Sequence, residues 1–273
     1  VATALTFDPS PRKVLRPETA SPQISTIAQR MAGFRALGLE AAVVLPFTLE
    51  LSRLAPDEFV EQILLRNLRI KALFVGESFR FGHKQAGDVH LLRKLGAEHG
   101  FEVVVLPPVI CRGEVVSSTL IRKEISGGGV MRAARLLGRQ FVLTGEVISG
   151  TGAGQRFTFP TLNLSAEQEL LPRRGVYVTR TVLDGNQRSR RSVTNIGTRP
   201  TFNGSALTVE THLLETQLSS TPKQIELRFW ERLRDERKFS GPEELRAQIA
   251  RDISSANRFF SRLRRFRSIR QAV

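Results

Sequence analysis

The chain has 273 residues, 41% of them hydrophobic, which suits one large domain or two of ordinary size with proper apolar cores. No run approaches the roughly 18 apolar residues that a membrane helix requires, and no basic stretch leads into an apolar signal core, so a cytoplasmic location is expected. A formal net charge of +15 leaves phosphorylated small molecules, nucleic acid and acidic membrane as candidate partners, while the single cysteine, Cys111, excludes an intrachain disulfide and a cysteine cluster for zinc.

In chain order, the first half alternates short apolar runs (residues 4–7, 41–45, 72–75 and 103–106) with segments of helical period. This predicts four strands of a parallel α/β sheet with crossover helices. Ile27, Met31 and Phe34 share one helix face, and Pro56 suits the first turn of a second helix in which Phe59 and Ile63 lie four apart. The chain opens at Val1 directly in a strand-like run, and upstream residues are expected to be missing. Cys111 is expected to be a buried structural thiol.

After Gly138 the rhythm changes to β-rich runs at 141–148, 176–183, 192–196, 207–214 and 225–229, with a hairpin signal at Asp184-Gly185. Repeated strands without intervening helices predict a closed antiparallel barrel. One long helix closes the chain, beginning near Pro242, with Leu245, Ile249 and Ile253 on one face and a basic segment over 258–270. The domain boundary is placed at the glycines 127–129 and the helix after them, giving domains 1–130 and 131–273.

Three local patterns carry chemistry. The stretch 150–163 reads Gly-Thr-Gly-Ala-Gly-Gln-Arg-Phe-Thr-Phe-Pro-Thr-Leu-Asn; its glycines let backbone N–H groups approach phosphate closely. Thr161 and Asn163 then present hard neutral oxygens on one side of an extended segment, which suits Mg²⁺ or a similar divalent cation already held by nucleotide phosphates. In the run Val209-Glu210-Thr211-His212-Leu213, Glu210 and His212 share one strand face, and Glu210 can serve as a general base toward a hydroxyl nucleophile. In the first half, Gly76, Phe79, Phe81 and Gly82 follow an apolar strand and can receive a planar ring. Ser117, Ser118 and Thr119 place hydroxyls at a helix start that attracts phosphate, with Arg122 one turn on. The bland readings are a loop with a Pro-Thr turn, a solvated barrel face, and an ordinary N-cap with a surface arginine.

The second half resembles the riboflavin kinase domain of the bacterial bifunctional riboflavin kinase and FMN adenylyltransferase. The resemblance rests on six motifs in the family's order: Leu136-Leu137-Gly138-Arg139, the 150–163 stretch, Arg174-Gly175-Val176-Tyr177, the run from Asn195 to Phe202, the run from Glu210 to Leu214, and the run from Leu233 to Phe239. It implies that Gly150, Gly152, Gly154, Arg156, Thr161 and Asn163 bind ATP and its phosphates, that Thr161 and Asn163 contact the metal, and that Glu210 activates the ribityl 5′-hydroxyl. Thr158 stands where the family usually has glycine, Leu162 replaces a small residue, and the Tyr-Gly usual after the Glu-Thr-His strand is absent near Ser219 and Ser220.

The first half is similar to the adenylyltransferase domain of the same family, through Thr6-Phe7-Asp8-Pro9, the run from Phe74 to Gly82, Gly87-Asp88 and the run from Ser117 to Arg122. Ser10 replaces a usual histidine and Ser78 a usual aspartate. The resemblance implies an α/β nucleotidyltransferase-like (Rossmann-like) N-terminal domain followed by an antiparallel β-barrel kinase domain with a C-terminal helix. Riboflavin, FMN and ATP are the implied partners. None of His83, His90, His99 and His212 fits the family's His-x-Gly-His turn, which in the family precedes the Thr6-Phe7-Asp8 strand, so adenylylation of FMN is expected to be impaired in the chain. The competing expectations are a flavin-binding regulatory protein without turnover and a nucleic-acid binder that uses the arginines and Phe259, Phe260 and Phe266 of the tail.

Overall fold

The computed structural model describes residues 1–149, 160–186, 188–201, 204–214 and 218–271. They form two compact units, one of Val1–Pro22 with Ile27–Val116 and one of Gln23–Thr26 with Ser117–Val273.

In the first unit the four apolar runs become β1 (Thr3–Phe7), β2 (Ala41–Leu45), β3 (Ala72–Gly76) and β4 (Glu102–Leu106). Between them lie α1 (Pro11–Leu15), α2 (Ile27–Ala36), α3 (Leu49–Arg53), α4 (Pro56–Phe59) and α5 (Val89–His99). The strands pair in parallel, as the alternation predicts, but as two separate ladders, β1 with β2 and β3 with β4. Apolar runs mark strands; which strands become neighbours depends on how the crossovers pack, and periodicity does not carry that. Pro56 does open a helix, which continues as a wider π-helical stretch, Val60–Asn67, so that the adjacent Phe59 and Val60 are buried together with Leu64. Asp88 caps α5 by accepting the Leu91 N–H at 2.9 Å, and that bond is the first cause of a carboxyl pKa below its ordinary value. Gly100, at φ 74°, closes the same helix in the left-handed region. The core gathers Phe59, Val60, Leu64, Val75, Phe81, Val89, Leu92, Leu95 and Phe101. Cys111 lies on the short hairpin of β5 (Ile110–Cys111) and β6 (Glu114–Val115) and is half-buried, not buried as the sequence predicts. A ladder of two residue pairs has too little surface to enclose a thiol.

In the second unit α6 (Ser118–Ser126) and α7 (Val130–Leu137) precede the barrel strands β7 (Val142–Ile148), β8 (Thr161–Ala166), β9 (Gly175–Leu183), β10 (Arg190–Thr201), β11 (Gly204–Leu213) and β12 (Gln224–Arg234). They close in the order β10-β11-β8-β7-β12-β9, with every named pairing antiparallel. Asp184 and Gly185, at φ 45° and 70°, make the tight turn after β9, and the Asn186 N–H closes it on the Leu183 carbonyl at 2.8 Å. Alternation points Val209, Thr211 and Leu213 inward, all buried, along with Ile225, Leu227 and Phe229.

Five buried hydroxyls run through this interior. Thr181 donates to Ser192 at 2.8 Å, Ser192 and Thr194 each lie 2.7 Å from Thr179, and Thr194 donates to Thr211 at 3.0 Å. Thr211 reaches the Val193 carbonyl at 3.4 Å. With one proton per hydroxyl, the two ends fix a single direction of donation along the whole chain. Thr194→Val keeps the volume but strips Thr179 of its acceptor and Thr211 of its donor. The expected loss is about 1–3 kcal/mol of stability, read in a urea melt. An unchanged midpoint would mean that the neighbours find other partners.

The closing helix α8 (Pro242–Gln271) lays Ile253, Ala256, Phe259, Phe260 and Leu263 on the outer barrel face formed by Val176, Val178, Val193, Leu214, Trp230 and Leu233. Phe260 is buried, with the Arg180 guanidinium 5.3 Å from its ring, and Phe259 packs edge-on to Trp230. These two rings are docked, which favours the packing role of the helix over base stacking. Among the described residues no helix is long and apolar enough to cross a membrane.

Candidate active site

Among the described residues strands β8 and β11 meet over three residue pairs, Glu210 with Asn163, Thr211 with Leu162 and His212 with Thr161. Directly paired residues of an antiparallel ladder point to the same face with Cβ atoms about 5 Å apart. Because Thr211 is wholly buried in the barrel, Glu210 and His212 face outward, and both are half-buried, as are Thr161 and Asn163. The ladder therefore brings together the three residues that the sequence singles out as base and metal contacts, Glu210, Thr161 and Asn163, with His212 beside them. His212 lies with its Nδ1 3.0 Å from the Pro160 carbonyl oxygen.

The ladder extends this row on both sides. Asn195 on β10 stands opposite Glu210, and Ile148 on β7 opposite Asn163, so Asn195, Glu210, Asn163 and Ile148 cross four strands in one line. The sequence names Asn195 only as the start of a motif. Its place beside the carboxylate depends on barrel register, which no local spacing encodes. Glu236 is a second addition. Its Oε1 accepts the Thr198 N–H at 3.1 Å and occupies the space a side chain at Gly197 would need, next to the Asn195 amide. The acidic residue in the 233–239 motif was the available signal.

Beside Glu236 opens a cleft of about 580 Å³, lined by Leu171, Pro172, Arg173, Arg174, Leu207 and Asp235. Two of the motifs build its wall. Arg232 donates from one terminal nitrogen to the Arg174 carbonyl and the Asp235 carboxylate, each at 2.6 Å, and from Nε to the Tyr177 hydroxyl at 3.3 Å. The Tyr177 hydroxyl itself donates to the Arg173 carbonyl. Burial raises the Tyr177 phenol above its ordinary pKa. The hydrogen bond from Arg232, and then its charge, hold Asp235 below the ordinary carboxylate range. A depressed carboxyl contributes to stability above its unfolded pKa, and that contribution is lost as pH falls through the folded value, so this wall loosens only in acid. Gly175, at φ 150°, allows the Arg234 carbonyl to approach where a Cβ would stand.

Among the described residues no group of three or more His, Cys, Asp or Glu side chains is placed to hold a metal ion. A hydroxyl and an amide oxygen beside one carboxylate fit a hard divalent cation whose charge is balanced chiefly by phosphates. Gly150, Gly152, Gly154 and Arg156 lie outside the described residues.

In the first unit, Gly76 ends β3 and Phe79 stacks on Phe81 at 5.7 Å and 16°. Phe81 is buried in the core against Phe59, at 6.1 Å, while Phe79 stays partly exposed. Gly82, at φ 71°, sits so near the Pro56 backbone that a Cβ would lie 2.7 Å from its nitrogen. Ser117, Ser118, Thr119 and Arg122 stand in the second unit. The Ser117 hydroxyl caps α6 by accepting the Leu120 N–H at 3.2 Å, which leaves Ser118 and Thr119 exposed in the first turn.

Comparison with known proteins bears on both halves. Residues 137–260 match the family described as riboflavin kinase and residues 1–120 the family described as FAD synthetase. Over 255 residues the chain is 32% identical to the bifunctional riboflavin kinase/FMN adenylyltransferase of Escherichia coli strain K12, covering 93% of this chain and 81% of that one. Over 251 residues it is 33% identical to the protein of the same description from Pseudomonas fluorescens, covering 92% and 80%. A crystal structure from Streptococcus pneumoniae, described as a macrolide-efflux protein, superposes with a TM-score of 0.84 at 25% identity over 93% of this chain and 83% of that one.

Proposed function

Since the chain belongs to the bifunctional riboflavin kinase/FMN adenylyltransferase family, we propose that its barrel phosphorylates riboflavin to FMN at the outward row of Glu210, Asn163 and Asn195, and that the first domain is of the type that adenylylates FMN to FAD, an activity expected to be impaired here because none of the four histidines supplies a His-x-Gly-His turn. The observation that carries the assignment is the three-pair ladder that sets Glu210 directly against Asn163 and His212 against Thr161. Glu210 takes the proton of the ribityl hydroxyl as its oxygen bonds to the γ-phosphorus of ATP; the bond to the bridging oxygen breaks and ADP leaves. Thr161 and Asn163 hold and orient the nucleotide phosphates. A bound Mg²⁺ or similar cation supplies neutralisation of phosphate charge, the main requirement of phosphoryl transfer. In the first domain Gly76, Phe79, Phe81 and Gly82 are assigned to flavin or nucleotide binding, and Ser117, Ser118, Thr119 and Arg122 to phosphate.

The test is incubation with riboflavin, ATP and Mg²⁺, with FMN and FAD measured separately. FMN is expected to form, and EDTA to stop it. Riboflavin binding without FMN would leave a flavin-binding protein and remove the kinase assignment. A fragment of Ser117–Val273 keeps α6, α7, the barrel and α8 and is expected to form FMN but not FAD. A folded fragment without kinase activity would show that the first unit contributes to the kinase site.

A further inference from the structure

The junction between the two catalytic strands holds a contact that the reaction scheme leaves unused. Among the described residues the β8 ladder with β11 opens at Thr161, directly after Pro160. The Pro160 carbonyl is met by a side chain, the His212 imidazole, whose Nδ1 lies 3.0 Å away. His212 is also the ladder partner of Thr161, so one residue is joined to the catalytic strand twice, through register and through this bond. Among the described residues three pairs are a short hold on this side of the strand, and Thr161 lies beyond the four-pair ladder that ties β8 to β7 through Asn163.

We infer that His212 is a positioning residue of the kinase: by donating its Nδ1–H to the Pro160 carbonyl it pins the start of β8, so that Thr161 and Asn163 stay aligned with Glu210 for the metal–ATP complex. The inference rests on the assignment of Thr161 and Asn163 to the nucleotide. His212 touches no reacting atom in this role. The carbonyl oxygen can only accept, so the imidazole nitrogen is the donor in this bond.

The experiment compares His212→Leu, which removes the donor, with His212→Asn, whose amide nitrogen stands at the same number of bonds from Cβ as Nδ1 and can renew the bond. In the full chain, His212→Leu is expected to raise KM for Mg·ATP about 3- to 10-fold, the range of one ordinary hydrogen bond, with riboflavin affinity unchanged. His212→Asn is expected to recover most of the loss. Equal defects in the two variants, or a defect in riboflavin affinity alone, would overturn the inference, as would an unchanged KM for Mg·ATP in His212→Leu. A fall in melting temperature with normal kinetics in the folded protein would reduce His212 to a structural role and overturn it as well. Asn163→Leu keeps the underlying assignment separately testable: if Asn163→Leu leaves the KM for Mg·ATP untouched, that assignment fails, whereas a raised KM there with normal kinetics in His212→Leu defeats only the role of His212.

Discussion

Glu210→Gln is expected to lower the turnover of riboflavin to FMN by roughly two to four powers of ten, the usual range for a general base. The glutamine keeps the shape of the side chain and its place opposite Asn163 and Asn195, so neither the ladder nor the outward row changes. What is lost is a group able to accept the hydroxyl proton as the oxygen becomes a nucleophile. Riboflavin and ATP affinities should stay near those of the parent, because the effect belongs to the transition state. Direct binding of riboflavin followed by fluorescence, alongside single-turnover formation of FMN, separates the two. Undiminished turnover would take Glu210 out of the mechanism and leave positioning and charge neutralisation as the whole of the catalysis.

The largest expected effect on stability lies where the closing helix meets the barrel. Asp252 on α8 is buried, and Arg234 at the end of β12 grips it with two nitrogens, Nε to Oδ1 at 3.0 Å and a terminal nitrogen to Oδ2 at 2.8 Å. Gln248 adds a third donor at 2.9 Å. The planar fork of the guanidinium matches the two oxygens of the carboxylate. Asp252→Ala leaves a guanidinium whose side chain is only 21% exposed without its counter-charge. The expected cost is about 3 kcal/mol, at the lower end of the range for a broken buried pair, since Arg234 keeps the Phe239 ring at 5.8 Å and some water. For a unit of this size that corresponds to a melting temperature lower by roughly 6–12 °C. A shift within 2 °C or so would show that apolar packing of Ala256 and Phe260 alone holds the helix. Replacing both Arg234 and Asp252 by leucine should cost less than the sum of the single changes, since no charge is then stranded.

How much of this was legible beforehand depends on whether the controlling interaction is local. The barrel strands announce themselves because Val209, Thr211 and Leu213 alternate with Glu210 and His212, and the apolar face of α8 because Ile249 and Ile253 recur at helical spacing. Residues 161–163 read as extended, but nothing local shows that they form a barrel strand, since β8 is defined by its neighbours. The pairing of Glu210 with Asn163 and Asn195 joins residues more than forty and exactly fifteen positions apart by register that only closure of the barrel fixes. In the first unit the apolar runs mark the strands, while their division into two parallel pairs is a matter of strand neighbours that the runs themselves do not describe. The Arg232 junction shows the same limit. Its partners come from two motifs over fifty residues apart, each visible, neither pointing at the other.

The directed chain of hydroxyls inside the barrel carries a consequence for how such a sequence drifts. Each of Thr181, Ser192, Thr179, Thr194 and Thr211 gives its proton to the next, so the position of every proton is decided by the members on either side. A change of serine to threonine passes, because it preserves one donor and its direction. A change to valine at one interior position strands two neighbours at once, and only a further change beside it relieves them. Across descendants of this chain the five sites should therefore vary as a block, either remaining hydroxyl-bearing together or turning apolar in adjacent groups, while the apolar positions between them exchange one at a time.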